Sequence, residues 1–131
     1  MKIEVSIDPL PQSRPRFTNG RCYETARISA YKKEVGMAAK VAMKGKPPIT
    51  DPLSVKLRCF RKFKITSRRY GDCDNLLKAV LDALNGIIFL DDSQVTLAQV
   101  EKLQGTPKIE LEIKKVLPEG GGTKERLMTA K

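Results

Sequence analysis

The residue types best suited to chemistry fall in one stretch of the chain, residues 70–94. Asp72 and Asp74 stand two residues apart before a helical pattern, and Asp91 and Asp92 follow an apolar run. Carboxylates gathered at one place repel one another and raise each other's pKa values unless a cation neutralises them. All-oxygen clusters suit Mg²⁺ or Mn²⁺, which keep part of their water shell and often bind phosphate. The stretch therefore indicates a divalent metal site, although a core helix with solvated acids would look similar.

A short helix is predicted to follow Asp72, whose side chain points to the same side as that of Asp74 if the segment is extended. The apolar residues of the helix fall on one stripe: Leu76, Leu77, Val80, Leu81 and Leu84. We expect Asp74 or Asn75 to cap the helix. Lys78 and Asp82 follow Asp74 at steps of four, so they line its polar side, and we expect Asp82 to pair with Lys78.

The predicted helix ends at Asn85-Gly86, and the apolar run Ile87–Leu90 then predicts a short buried strand. This strand would deliver Asp91 and Asp92 at its end. Neighbouring residues on a strand point to opposite faces of the sheet, so only one of the two is expected to be a primary metal ligand.

The composition limits the classes of function. The net charge of +10 and the pI of about 9.7 favour a polyanionic partner, and nucleic acid over a membrane surface. The sequence has no histidine, so hydrolysis would have to use a metal-bound water or a lysine, and a structural zinc site is excluded. Cys22, Cys59 and Cys73 show no Cys-x-x-Cys spacing, which predicts reduced thiols, with Cys59 in the core.

The order of the remaining elements predicts an α+β fold, with a mixed β-sheet packed against two main helices. Strands are expected near residues 2–7, 53–60, 93–103 and 108–116, and the first helix near 25–43. We expect a bulge at 98–100 in the third strand, and the last strand to form a hairpin with the third.

The first helix is expected to carry its lysines on the outside as solvating charge; they are Lys32, Lys33, Lys40 and Lys44. Residues 1–116 are predicted to form one domain and 117–131 a flexible tail. The chain has no apolar run of transmembrane length and no signal peptide at residues 1–10, which favours a soluble intracellular protein.

The second strand runs into residues 61–69, and together they carry a run of cations without one intervening acid: Lys56, Arg58, Arg61, Lys62, Lys64, Arg68 and Arg69. Such a run is either a solvated face or a DNA-contacting loop, and an acidic centre favours the loop because it repels phosphate unless cations offset it. Phe63 within the run could wedge into or stack on opened DNA, or it could belong to the core. Arg14 and Arg16, beside prolines, are either loop residues or further phosphate contacts.

The motif from residue 71 to 94, GDCDNLLKAVLDALNGIIFLDDSQ, resembles the signature of the RusA-type Holliday junction resolvases. These are Mg²⁺-dependent endodeoxyribonucleases common in phages and prophages. The resemblance is specific over residues 70–94 and weaker over 1–115. It implies a RusA-like fold and a homodimer that cuts four-way DNA junctions by paired symmetric nicks, in the cytoplasm of a bacterial or phage-infected cell and associated with the nucleoid.

By position, the resemblance implies that Asp72, Asp74 and Asp92 are catalytic and bind the metal, and that Lys78 is a catalytic lysine. The implied cofactor is Mg²⁺, with Mn²⁺ as a substitute, and no small-molecule cofactor. The DNA-binding residues would be Arg14, Arg16, Lys62, Lys64, Arg68 and Arg69. We expect Asp74 and Lys78 to face one cleft with Asp72 and Asp92.

Two other functions stay open. The first is a module that binds branched DNA without cutting it. The second is a metal-dependent nuclease that acts on flaps or on RNA, with the same chemistry and a different substrate shape.

Overall fold

The computed structural model describes residues 1–12, 16–18, 21–23 and 25–116. The helices are α1 (Ala26–Met43) and α2 (Cys73–Leu84). The strands are β1 (Lys2–Val5), β2 (Arg16–Thr18), β3 (Arg21–Tyr23), β4 (Leu53–Arg61), β5 (Val95–Gln104) and β6 (Lys108–Lys115). The predicted tail, 117–131, lies outside the described residues.

A four-stranded mixed sheet in the order β1-β6-β4-β5 forms the centre of the fold. β4 is parallel to β5 and antiparallel to β6, which also pairs with β1. Alternate residues of β4 are buried on the face that the helices cover, and they are Leu53, Val55, Leu57 and Cys59. The α+β class and the two main helices are therefore confirmed. β2 and β3 form a separate antiparallel pair that the sequence did not predict.

The predicted hairpin of the last two strands is wrong, because β4 lies between β5 and β6. Helix α2 connects β4 to β5 as a crossover, which places β5 parallel to β4. The turn after β5 is hydrogen-bonded to the end of β4: the Gly105 N–H donates to the Arg61 carbonyl at 2.9 Å. The bulge also differs from the prediction: the register shifts opposite Leu53, where Thr96 is the additional residue.

The predicted strand at 87–90 is a turn. Gly86 has a φ of 78°, and its N–H donates to the Phe89 carbonyl at 2.7 Å. Ile88 and Phe89 are buried as expected, but Leu90 is 62% exposed. The run is apolar because its middle fills the core beneath α1 and α2, so hydrophobicity alone could not separate a buried turn from a buried strand.

A face of α1 that contains small residues packs closely on α2 and on the turn after it. A side chain at Gly36 would lie 3.2 Å from Ile87 and 3.4 Å from the Ala83 carbonyl. Lys32 is not on the outside of this packing: its ammonium lies 3.2 Å from Asp82, and only 16% of its side chain is exposed. Asp82 therefore pairs across the two helices with Lys32 rather than along α2 with Lys78.

The outer face of the sheet carries both signs of charge. Arg58 lies 3.2 Å from Glu110 and 3.4 Å from Glu101, and Lys108 lies 3.1 Å from Glu110. Arg58 is thus engaged on this face and does not belong to a cationic loop, contrary to the sequence interpretation. In the part of the chain that the structure describes, no helix is long and apolar enough to span a membrane.

One of the predicted free thiols, that of Cys59, lies in the protein core. Cys59 is fully buried on β4, as predicted. Burial raises the pKa of its thiol to about 12, so it remains protonated at neutral pH.

Candidate active site

Asp72 and Asp74, the acid pair, lie at the N-terminal end of α2. Asp72 is the N-cap residue, in place of the predicted Asp74 or Asn75, and its carbonyl accepts the Leu76 N–H at 2.9 Å. Its carboxylate makes no capping hydrogen bond, although this is the usual use of aspartate at this position. Asp74 is in the first helical turn, where one carboxylate oxygen accepts the Asn75 N–H at 3.0 Å. Both acids are exposed, and the positive end of the helix dipole favours their charge.

Lys78 lies one turn further along α2 and is exposed. Residues four apart share one side of a helix, so Lys78 stands beside Asp74. Among the residues that the structure describes, no ion pair joins Lys78 to Asp74 or to Asp82. The ammonium group is therefore available at the same end of α2 as the acid pair.

The turn before the acid pair is held by the segment that follows β1. Gly71 has a φ of 100°, and a Cβ there would lie 2.8 Å from the Pro11 ring. The Gln12 N–H donates to the Asn75 carbonyl at 2.9 Å. Glycine is therefore required at 71 both for its backbone conformation and for the close approach of Pro11.

Tyr70 connects this turn to the ends of two strands. It is fully buried, and its hydroxyl lies 2.6 Å from the Cys59 carbonyl and 2.5 Å from the Leu103 carbonyl. The same oxygen accepts the Leu103 N–H at 3.1 Å. Lys102 adds a hydrogen bond to the Gly71 carbonyl at 3.0 Å. These bonds place the acid pair at the C-terminal end of β4 and β5.

Tyr70→Phe should lower the free energy of unfolding by about 1–3 kcal/mol, because it removes the hydroxyl that binds the backbone of Cys59 and Leu103. Tyr31→Phe is the matched control: Tyr31 is also almost fully buried, at 2% exposed, but within the described ranges its hydroxyl lies near the backbone of Leu10 alone and does not join two strands. Urea unfolding of the two variants measures the difference. Equal losses in both variants would contradict the role assigned to the Tyr70 hydroxyl.

The segment between β4 and Tyr70, residues 62–69, is the basic loop. Its cations are all exposed: Lys62, Lys64, Arg68 and Arg69. Within the described residues, none of them forms an ion pair with an acid. Hydrogen bonds from the Ser67 N–H to the Lys64 carbonyl (2.9 Å) and from the Tyr70 N–H to the Ser67 carbonyl (3.0 Å) shape the loop. The loop thus carries positive charge directly upstream of the acid pair.

Two residues of the predicted cationic stretch, Arg61 and Phe63, pack towards the interior and are not part of the exposed cationic surface. Arg61 is 4% exposed and pairs with Asp8 at 2.9 Å, so it does not reach solvent. Phe63 packs partly against the core, with the Arg61 guanidinium 4.8 Å from the centre of its ring. The exposed apolar residue of the basic loop is Ile65, which is 46% exposed.

Asp92 lies at the other end of the sheet from the acid pair. It begins a short 3₁₀ turn (Asp92–Gln94) that leads into β5 at Val95, whereas Lys102 binds Gly71 near the end of that strand. The strand between Val95 and Lys102 spans about 23 Å at about 3.3 Å per residue. Ligands of one Mg²⁺ ion lie about 2 Å from it. Within one chain, Asp92 therefore does not share a cleft with the acid pair, contrary to expectation.

The two neighbouring acids differ in what they bind. A carboxylate oxygen of Asp91 accepts the Ser93 N–H at 3.0 Å, and the Gln94 side chain accepts the Asp91 N–H at 3.1 Å. Hydrogen bonds from Ser93 hold the pKa of Asp91 below its usual value. Asp91 thus serves as the cap of the 3₁₀ turn, and Asp92 stands outside that cap with its side chain exposed.

Metal-binding groups do not converge within the chain as it is described. Over residues 1–12, 16–18, 21–23 and 25–116, no three acidic, cysteine or histidine side chains are grouped as ligands for one ion. The acid pair fits half of a magnesium site, since two exposed carboxylates lie two residues apart beside Lys78. An ion held there would have to take any third carboxylate from outside this end of the chain.

Several residues near the acid pair were not found from the sequence. Tyr70, Arg61 and Asp8 hold its backbone through hydrogen bonds, and no spacing rule links them. Lys102 had a detectable signal: it stands on β5 where the alternation that includes Val100 predicts an apolar residue. Of the remaining predicted DNA-binding residues, Arg14 lies outside the described residues, and Arg16 begins β2.

Comparisons with known proteins identify relatives of this chain. A family model described as endodeoxyribonuclease RusA matches residues 6–114. The crossover junction endodeoxyribonuclease RusA of Escherichia coli (strain K12) is 34% identical over 109 residues, covering 80% of this chain and 87% of that protein. Its namesake from Enterobacteria phage 82 is 33% identical over 109 residues, with the same coverage of 80% and 87%.

A further relative is the uncharacterized protein YqaN of Bacillus subtilis (strain 168). It is 31% identical over 140 residues, covering 88% of this chain and 96% of that protein. The range 6–114 that the family model matches includes the acid pair, Lys78, Asp92 and the basic loop.

Proposed function

This chain belongs to the RusA family of endodeoxyribonucleases, and we propose that it resolves four-way DNA junctions by hydrolysing one phosphodiester bond in each of two strands. The observation that carries the proposal is the position of the acid pair beside the basic loop. Phosphate contacts by exposed lysine and arginine provide most of the affinity for DNA. The loop would therefore bind the backbone, and the acid pair with Lys78 would meet the bond to be cut.

The cofactor we propose is Mg²⁺, with Mn²⁺ as a substitute, held by the acid pair of one chain and by Asp92 of a second copy. Bound there, the ion would activate water and stabilise charge on the leaving oxygen. The Asp72 carboxylate, which is not used for helix capping, supports this role. Asp92 is favoured over Asp91 because the Asp91 carboxylate is engaged by Ser93.

A homodimer can bring these acids together. β5 is an edge strand of the described sheet, and none of its residues is buried. In a two-fold symmetric interface both copies use the same surface, and the two surfaces run in opposite directions. Two β5 edges related in this way would place Asp92 of each chain near the acid pair of the other. The dimer would then carry two sites, as paired nicks in two strands require.

Lys78 is proposed as the positive group of the site. Its ammonium would stand beside the phosphate as negative charge builds up in the transition state. A fixed charge and a proton donor to the leaving oxygen are both compatible with its exposed position one turn after Asp74.

The proposal is tested by cleavage of a labelled synthetic four-way junction, a flap, a linear duplex and an RNA strand at one salt concentration. We expect paired symmetric nicks in the junction alone, with about 10 mM Mg²⁺ and not with EDTA. Equal cutting of flap or RNA would favour the broader nuclease. Tight junction binding without nicks in any metal would favour a binding module and overturn the proposal.

A further inference from the structure

We infer that the ion pair of buried Arg61 with Asp8 is a positioning device for the acid pair. The inference rests on the proposed function, because it assigns these two residues to the geometry of that site. Arg61 is almost fully buried, although it belongs to the same cationic run as the exposed lysines and arginines of the basic loop.

Arg61 uses all three nitrogens of its guanidinium group. Nε and one terminal nitrogen donate to the two carboxylate oxygens of Asp8, both at 2.9 Å. The other terminal nitrogen donates to the carbonyls of Arg69 (3.1 Å) and Tyr70 (2.9 Å). A planar group with donors in a fixed fork can satisfy these acceptors together, and a lysine ammonium cannot. The pair therefore joins β4 to the backbone immediately before Gly71.

Asp8 fixes the opposite side of the same turn. It follows β1 and precedes the segment in which Pro11 contacts Gly71 and Gln12 binds the Asn75 carbonyl. Asp8 is 40% exposed and has a second, longer contact of 4.0 Å with Arg27. The turn that leads to Asp72 is thus held on one side by Arg61 and on the other by the segment that Arg61 anchors through Asp8.

We expect the ion pair to affect the rate of junction cleavage more than the affinity for the junction. The exposed cations of the basic loop depend only partly on Arg61, whereas the carbonyl of Tyr70 is two residues from Asp72. A displacement of about 1 Å in a reacting group can lower a rate by about a hundredfold. Loss of the ion pair should therefore reduce the rate of cutting more than the affinity for the junction.

The experiment compares Arg61→Lys, Asp8→Asn and Arg58→Lys with the wild-type protein. Arg58→Lys is the matched control, since Arg58 lies on the same strand but pairs on the outer sheet face. We expect Arg61→Lys to lower the single-turnover cleavage rate at saturating protein about 10–100-fold, with the junction Kd within about twofold. Asp8→Asn should have a smaller effect in the same direction, and the control should cleave like wild type.

Hydrogen exchange gives a readout that does not need cleavage. The amides of residues 69–75 should exchange faster in Arg61→Lys and Asp8→Asn than in wild type, while those of β6 stay protected. If Arg61→Lys fails to fold, Asp8→Asn decides the question by the same two measurements. Wild-type cleavage rate and exchange in a folded Asp8→Asn or Arg61→Lys variant would overturn the inference. If the wild-type protein cuts no junction, the proposed function fails, and unchanged exchange alone would still refute the positioning role.

Discussion

Asp72→Asn should abolish junction cleavage, with a rate at least about a thousandfold below wild type, or about 4 kcal/mol of transition-state stabilisation. Asparagine keeps the shape of aspartate but lacks the charge that a divalent ion requires. Junction affinity should stay equal or rise slightly, because one negative charge near the DNA backbone is removed and the basic loop is intact. Cleavage of a labelled junction and gel-shift titration of the same variant measure the two quantities.

Asp82→Asn is the control on the same helix. Asp82 is half-buried and bound to Lys32, so its loss should reduce the free energy of unfolding modestly and leave cutting intact. Parallel loss of binding and cutting in Asp72→Asn would contradict a metal-binding role, because it would place that carboxylate in DNA binding or in folding.

Mixing inactive Asp74→Asn protein with inactive Asp92→Asn protein should restore cleavage. If each site combines the acid pair of one chain with Asp92 of the other, a mixed dimer contains one intact site and one doubly damaged site. After complete subunit exchange, half of the dimers are mixed, so about a quarter of the wild-type sites are regenerated. The products should be single nicks rather than paired ones, and denaturing and native gels of the same reaction distinguish them.

The matched control is a mixture of Asp72→Asn with Asp74→Asn protein. Both substitutions damage the same half of the site, so every combination leaves each acid pair defective and no cleavage should return. Absence of rescue in the Asp74→Asn and Asp92→Asn mixture, with subunit exchange demonstrated by mass spectrometry, would refute a site shared between two chains.

Local patterns predicted the elements well. Alternation located β4, because one face of that strand is buried from Leu53 to Cys59. The stripe of leucines located α2, and Asp-x-Asp was correctly placed at an element end. These predictions succeeded because each depends on neighbours a few residues apart.

Contacts between residues that are distant in the sequence could not be predicted from such local patterns. Asp72 and Asp92 belong to one motif of the sequence, yet β5 separates them in the fold. Arg61 and Lys62 are adjacent cations, but only the second reaches solvent, because Asp8 forms an ion pair with the first from a distant segment. A local charge pattern shows which residues are charged. It does not show which of them will form an ion pair with a residue from a distant part of the chain.

The pairing of β1 with β6 has a consequence for synthesis on the ribosome. Lys2 pairs with Glu112 and Val5 with Ile109, so β1 can join the sheet only after β6 has been made. Such distant pairing raises the contact order and slows folding. Until then, Ile3 and Val5 have no sheet partner on the nascent polypeptide, and such exposed apolar residues favour aggregation.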